Sequence, residues 1–267
     1  MEYQAVKGTR DFYPDEMRVR NWLFDTWRRV ALRNGFEEYD SPLFEHLDLY
    51  TAKSGEGIVS ELFHFTDRGG RDLAIRPETT PTLARMVNAR IHSLPRPIKW
   101  FCIQRLCRAE NPQRGRLREF FQWNVDVIGS DSVLADAECI FTAVDFLREV
   151  GLGPGEVQIR IGSRPLILAR LRAAGVAEEA MDAALLALDK RPKIPQDEFE
   201  KLAGTAGLAG AELTKVCAFL DADATTALAE AREDESMRPH CEQVDELLSA
   251  LAAMGVAEYC TPDWHIV

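Results

Sequence analysis

Between positions 99 and 118 the chain carries Lys99, Arg105, Arg108, Arg114, Arg116 and Arg118, opposed there only by Glu110. The whole protein has 43 Asp and Glu against 32 Lys and Arg, a formal net charge of -11, so this stretch is a local reversal of sign. Guanidinium groups fork onto phosphate and carboxylate oxygens as an ammonium cannot, and a cluster of them points to an anion site. From Phe120 to Ile128 the side chains then alternate, with Gln122, Asn124 and Asp126 on one side and Phe121, Trp123, Val125 and Val127 on the other. Successive strand side chains point to opposite faces, so the three polar groups would share one face. A half-buried strand at any protein surface alternates in the same way. Glu78, in Arg76-Pro77-Glu78-Thr79-Thr80, is a further charged candidate. A carboxylate there can meet a cation, or simply face a helix N-terminus whose dipole favours it.

The elements that must position these groups are legible from pattern. Apolar runs at Trp100–Leu106 and Phe120–Ile128 flank a polar stretch, 110–116, punctuated by Pro112 and Gly115, which predicts an antiparallel hairpin. Val19, Leu23, Trp27 and Val30 recur at helical spacing and predict a helix over Asp15–Asn34, stopped by Gly35. Asp67-Arg68-Gly69-Gly70 marks a second hairpin whose returning strand, Leu73–Ile75, delivers Glu78 to a helix bearing Leu83, Val87 and Ile91. Pro42 cannot donate to a sheet ladder and belongs at an edge, a bulge or an interface. Asp131 or Ser132 can cap a helix with Ile140, Val144 and Leu147 on one face, ending at Gly151. A strand at Val157–Ile161 and a helix starting at Ser163-Arg164-Pro165 follow. From about Val176 the composition turns to Ala, Leu, Glu and Asp at helical spacing.

Composition excludes several classes. No apolar run approaches the ~20 residues of a membrane span, and MEYQAVKGTRDFYP lacks the basic and apolar segments of a secretory signal. A cytoplasmic protein is expected. The six cysteines contain no C-x-x-C pair and the five histidines show no ligand spacing, so neither zinc nor a disulfide framework is indicated. The acidic balance argues against a surface that grips nucleic acid throughout, while permitting a local basic site.

The run R-A-E-N-P-Q-R-G-R-L-R-E-F-F-Q, with Asp126 four residues on, resembles motif 2 of class II aminoacyl-tRNA synthetases, most closely that of the histidyl-tRNA synthetases. The string Lys7-Gly8-Thr9-Arg10-Asp11 with Pro14 is similar to the one that opens their catalytic domain, and 35–45 looks like motif 1, whose helix and strand form the dimer interface. The resemblance implies an α+β fold: an antiparallel class II sheet flanked by helices, with an inserted helical subdomain. The corresponding boundaries are a catalytic core at 1–175, an insertion at 176–256, and the start of a returning strand at 257–267. Leu188-Asp189-Lys190 is similar to part of that insertion.

The same resemblance implies ATP-dependent activation of histidine and its transfer to the 3' end of tRNA(His), by a homodimer. It places Arg108 at the α-phosphate, Glu110 at the adenine, and Arg116 at the outer phosphates with a Mg²⁺ that arrives with ATP, so no dedicated metal site is expected. Glu78, Thr80 and Gln122 belong to the histidine amino and carboxyl end, and Asp126 to the imidazole. Gln113, Arg114 and Arg118 in the basic loop meet the tRNA acceptor stem, and Pro42 lies near the two-fold axis. Asn111 departs from the pattern, since the bacterial enzymes usually carry arginine there.

In the family, a string like Thr261-Pro262-Asp263-Trp264-His265-Ile266-Val267 leads into an R-G-L-x-Y-Y-T-G loop, motif 3 and an anticodon-binding domain. None is present. The expectation is a truncated catalytic domain that does not by itself sustain pyrophosphate exchange. Two rival readings share the resemblance: the histidine-binding regulatory subunit of ATP phosphoribosyltransferase, and a degenerate synthetase paralogue. A histidine sensor has no evident use for Arg108, Glu110, Arg116 and Arg118, which favours the synthetase.

Overall fold

The structure, a computed structural model, describes residues 3–266, so Val267, the end of the expected returning segment, lies outside the described residues. Contacts divide the chain into two compact units, Met1–Asp131 and Ser132–Val267.

The first unit opens with helix α1 (Pro14–Arg33), which starts one residue before the expected position and ends one residue earlier. Proline's fixed φ suits the first helical position, and the Glu16 carboxylate accepts a bond from the Tyr13 amide at 2.9 Å. Gly35, at φ +79, turns the chain out of the helix. Thr26, Val30 and Ala31 are buried, and Trp27 stacks on Trp123 at 5.8 Å. Val19, placed on the buried stripe by its spacing, is exposed, because this end of the helix turns Arg20 and Phe24 rather than Val19 onto Phe121 of the following sheet.

Strand β1 (Glu37–Glu38) leads through the Pro42 loop to β2 (Phe44–His46) and helix α2 (Leu47–Ser54). The expected second hairpin is present as β3 (His64–Thr66) and β4 (Asp72–Ile75), with the Asp67 carboxylate accepting bonds from the Gly69 and Arg71 amides at 2.8 and 3.0 Å. These strands form one antiparallel sheet in the order β2-β4-β3. Helix α3 (Thr80–Ala89) follows, then the central hairpin, β5 (Ile98–Cys107) against β6 (Glu119–Ile128). The hairpin is antiparallel and in register from Ile98↔Ile128 to Cys107↔Glu119. Strand β1 adds to β5 in parallel, a short pairing that the expectation of an antiparallel sheet did not include.

Arg76 joins these pieces. It is buried, donates from Nε to the Arg105 carbonyl at 2.9 Å and from Nη1 to the Ser41 carbonyl at 2.6 Å. Its backbone bonds Leu43 and Cys107 as well. Pro42 sits in the exposed loop beside it, and the neighbouring Leu43, Phe44 and Phe65 are also exposed, with Phe44 and Phe65 meeting edge to face at 5.6 Å.

The second unit begins with α4 (Val133–Glu149), where the Ser132 side chain accepts a bond from the Leu134 amide. Strand β7 (Ile159–Ile161), two residues shorter than expected, precedes helices α5 (Arg164–Ala173), α6 (Met181–Lys190), α7 (Gln196–Thr205), α8 (Gly210–Asp221), α9 (Ala224–Arg232) and α10 (Arg238–Ala253). Strand β8 (Cys260–Pro262) then returns to pair with β7 in parallel. The helices thus leave and rejoin a single strand pair. Leu166 and Leu171 of α5 share one core with Phe199, Phe219 and Trp264. Helices on either side of position 176 therefore share this core.

Two contacts generate expectations. Gly8 has φ +88, its carbonyl accepts from the Arg118 amide at 2.7 Å, and a Cβ there would lie 2.8 Å from Arg118 Cγ. Gly8→Ala should destabilise the first unit by ~1–2 kcal/mol, read as a lower melting temperature; an unchanged melting curve would show that the string is not held this way. Trp264 is buried and stacks with Phe219 at 6.2 Å. Trp264→Ala should cost the second unit ~3–5 kcal/mol in denaturant titration.

Candidate active site

The register of the central hairpin sorts its two faces. Phe101, Ile103, Trp123, Val125 and Val127 pack with Ala31 and Phe36, so this side is the apolar one. On the other side Gln104 stands opposite Gln122, Cys102 opposite Asn124, and Trp100 opposite Asp126. Arg108 continues the same alternation one position past β5, where its amide bonds the Arg118 carbonyl at 2.8 Å. One face therefore carries, in sequence along the hairpin, a guanidinium, amides and a carboxylate.

Arg108 is held in two ways. Its Nε donates to the Pro77 carbonyl at 3.2 Å, and its guanidinium lies 5.1 Å from the centre of the Phe120 ring. Its two terminal nitrogens have no protein partner among the described residues, which leaves a fixed, half-buried cation available to an anion. Glu110 and Arg116 form an ion pair with each other across the turn, and Arg118 donates from Nε to the Glu110 carbonyl at 3.0 Å. Gln113 and Arg116 exchange backbone bonds of 3.0 and 2.9 Å around Gly115, which presents Gln113 and Arg114 at the exposed tip.

Glu78, in the loop between β4 and α3, is paired with the Lys53 ammonium at 2.6 Å. This carboxylate already meets an ammonium group, and Lys53 is an exposed side chain that a ligand can displace. Thr80 is exposed at the first position of α3. Its neighbour Thr79 is the buried one, and its hydroxyl accepts a bond from Asn124 Nδ2. Gln122 lies on the polar face beside Gln104, which is itself buried and bonded to Asp40 at 2.9 Å.

Asp126 is the least compensated group of the face. Burial alone pushes its carboxyl above the usual carboxylate range, and Oδ2 is buried without a hydrogen-bond partner among the described residues. Around it, burial raises the Tyr39 phenol far above its ordinary value and pushes the Cys102 thiol up to about 11. A buried carboxyl oxygen without a donor is costly unless a ligand supplies one.

The structure thus brings Glu78, Arg108, Gln122 and Asp126 to one hairpin face and its covering loop, and places Glu110, Gln113, Arg114, Arg116 and Arg118 in the turn at its end. Pro42 lies apart, in the loop preceding β2. Sequence reasoning missed Thr79, Phe120, Lys53 and Tyr39 as members of the site. Phe120 shares the alternation of Gln122 and Asp126, a signal that was available. Lys53 and Tyr39 carry no local signal, since their partners lie far along the chain.

Residues 8–263 match the family model described as Histidyl-tRNA synthetase. The histidine-tRNA ligase of Haloarcula marismortui is 41% identical over 261 residues, covering 97% of this chain and 60% of that protein. The histidine-tRNA ligase of Opitutus terrae is 39% identical over 269 residues, covering 99% and 62% respectively. The chain thus spans about 60% of the length of these curated relatives. Among solved structures, histidyl-tRNA synthetase from Nostoc superposes with TM-score 0.85 at 20% identity, covering all of this chain (100%) and 62% of that one. A Bacillus halodurans protein titled ATP phosphoribosyltransferase regulatory subunit/histidyl-tRNA synthetase gives 0.84 at 21%, covering 99% and 68%. The two structures share the class II synthetase-like fold with this chain. With a family model matched over nearly its whole length, and relatives near 40% identity over almost all of it, the chain belongs to the histidyl-tRNA synthetase family.

Proposed function

We propose that this chain carries the amino-acid activation site of a cytoplasmic histidine-tRNA ligase. The observation that supports it is the single hairpin face bearing a fixed guanidinium with unpartnered terminal nitrogens at one end and a buried, underbonded carboxyl at the other. In activation the histidine carboxylate oxygen attacks the α-phosphorus of ATP, the bond to the bridging oxygen breaks, and pyrophosphate leaves with those electrons. Arg108 stabilises the charge that develops at the α-phosphate, with most effect where water is excluded. Mg²⁺ arrives with the nucleotide and neutralises its outer phosphates.

The other residues bind and orient. Glu78 receives the histidine ammonium in place of Lys53, with Thr80 and Gln122 beside it. Asp126 accepts the imidazole N–H, a bond that discriminates against side chains lacking the donor. Glu110 faces the adenine and Arg116 turns from Glu110 to the outer phosphates. Gln113, Arg114 and Arg118 then meet the acceptor end of tRNA(His), largely through phosphates, which position without specifying. The exposed surface around Pro42, Leu43, Phe44 and Phe65 is where a second copy would dock. The core at 1–175 with an insertion at 176–256 remains part of this proposal, supported by the return of β8 to β7.

The test is histidine and MgATP binding, with histidine-dependent ATP–pyrophosphate exchange. A protein that binds histidine but neither binds ATP nor exchanges pyrophosphate would instead be a histidine sensor. Arg108→Ala should lower the exchange rate ~100–1000-fold while leaving histidine affinity nearly unchanged; equal loss of both would remove its assignment to the phosphate.

Asp126→Asn should abolish histidine binding yet raise stability at neutral pH. Burial lifts the folded-state pKa above its unfolded value, so the proton favours the folded state. That stabilisation is complete below the unfolded pKa near ~3.9 and is lost as pH rises through the raised folded value. The variant should therefore melt above the wild type by about 2–4 °C at pH 8, with the difference vanishing toward pH 3. Parallel melting curves at both pH values would contradict this.

A further inference from the structure

We infer that Tyr39 is the positioning residue of Asp126: its phenol O–H is the donor for the inner carboxyl oxygen Oδ2, which leaves Oδ1 to the ligand. Tyr39 Oη and Asp126 Oδ2 are both buried; neither makes a well-aligned hydrogen bond among the described residues, and the phenol lies close to the Cys102 thiol and the Thr79 hydroxyl. Two complementary orphan groups on one face are the condition in which a small side-chain rotation forms a bond.

The register brings them together. Glu38 pairs with Phe101, and the Tyr39 amide bonds the Phe101 carbonyl at 2.9 Å, so the β1 ladder continues one residue and sets Tyr39 alongside Cys102. Glu38, one position earlier, points to the α1 side, where Arg28 pairs with it at 2.7 Å. Alternation therefore turns Tyr39 to the site face. On β6, Asn124 is opposite Cys102, and Asp126 is the next residue on that face, opposite Trp100. The Tyr39 and Trp100 rings meet at 5.7 Å. Tyr39 and Asp126 thus occupy diagonal positions on either side of β5, and each lies within electrostatic reach of Cys102.

The alternatives are weaker donors or are committed elsewhere. The Thr79 hydroxyl accepts from Asn124, and its own O–H is within reach of the Tyr39 phenol and the Cys102 thiol. Arg76, the cation nearest Cys102, is tied to the Ser41 and Arg105 carbonyls. The Cys102 thiol is a weak donor. Tyr39 and Cys102 are the titratable groups within electrostatic reach of this carboxyl, and Arg76 lies within reach of Cys102. Burial keeps the phenol protonated, so it remains a donor throughout the working pH range. A bond to the charged form favours ionisation and offsets the cost of burying the carboxylate.

The role in binding histidine rests on the functional reading above, whereas the control of the Asp126 titration does not. The experiment is a carbon-detected NMR titration of the Asp126 carboxyl in the ligand-free protein, with histidine and ATP affinities measured across the same pH range. Tyr39→Phe, which keeps the ring, should raise the Asp126 pKa by about one unit. It should weaken histidine binding about tenfold, move the acid limb of that binding upward, and leave ATP affinity unchanged. Fluorotyrosine at position 39, a stronger donor of the same shape, should shift the carboxyl the opposite way, and Cys102→Ala should leave it in place. An Asp126 titration indifferent to Tyr39→Phe, or moved as much by Cys102→Ala, overturns the inference. If Asp126 responds to Tyr39 while the wild type binds no histidine, the positioning stands and the functional reading falls.

Discussion

The register between β5 and β6 is the constraint on which the rest of the first unit depends. Ten residue pairs from Ile98↔Ile128 to Cys107↔Glu119 are aligned without a bulge. A slip of one residue would turn Asp126 and Gln122 into the cluster under α1 and bring Trp123 and Val125 to the site. The apolar side makes such a slip unfavourable, because Phe101, Trp123 and Val125 would lose Ala31, Phe36 and the stacked Trp27. Packing on one face therefore fixes the chemistry of the other.

Arginine serves two distinct purposes around this hairpin. Arg76 is buried and its guanidinium is turned toward backbone carbonyls of the Pro42 loop and β5, so it acts as a joint between the two sheets. Arg108 uses one nitrogen to fix its plane and rests on Phe120, which leaves the remaining donors oriented but unengaged. Cation–π contact suits this arrangement, since the ring stabilises the charge without occupying its hydrogen-bond sites. The difference is geometric. Both residues are arginines in a basic stretch or motif, and only their surroundings separate them.

The polar face also shows where stability is given up. Asp126 and Tyr39 hold buried polar atoms without partners, and Glu78 and Lys53 meet as an accessible pair. Buried polar groups are normally satisfied, so each of these costs stability where it stands. The second unit buries an aliphatic and aromatic core that includes Trp264, and Arg191 pairs there with Asp221 at 2.7 Å.

What the sequence by itself determined were the local patterns. Alternation over 120–128 separated the polar face from the apolar one, and the excess of arginine over 99–118 marked the basic turn at the hairpin's end. The Gly-rich turn after Asp67 and the serine caps at 132 and 163 were likewise written locally. The ordered motifs carried the family. Tertiary structure alone decided that Thr79 rather than Thr80 is the buried threonine bonded to Asn124, that Lys53 meets Glu78, and that Tyr39 stands beside Cys102. The reason is that strand and helix periods act over a few residues, whereas these contacts join residues 25 to 63 positions apart, and only the packing of the two sheets brings them within reach.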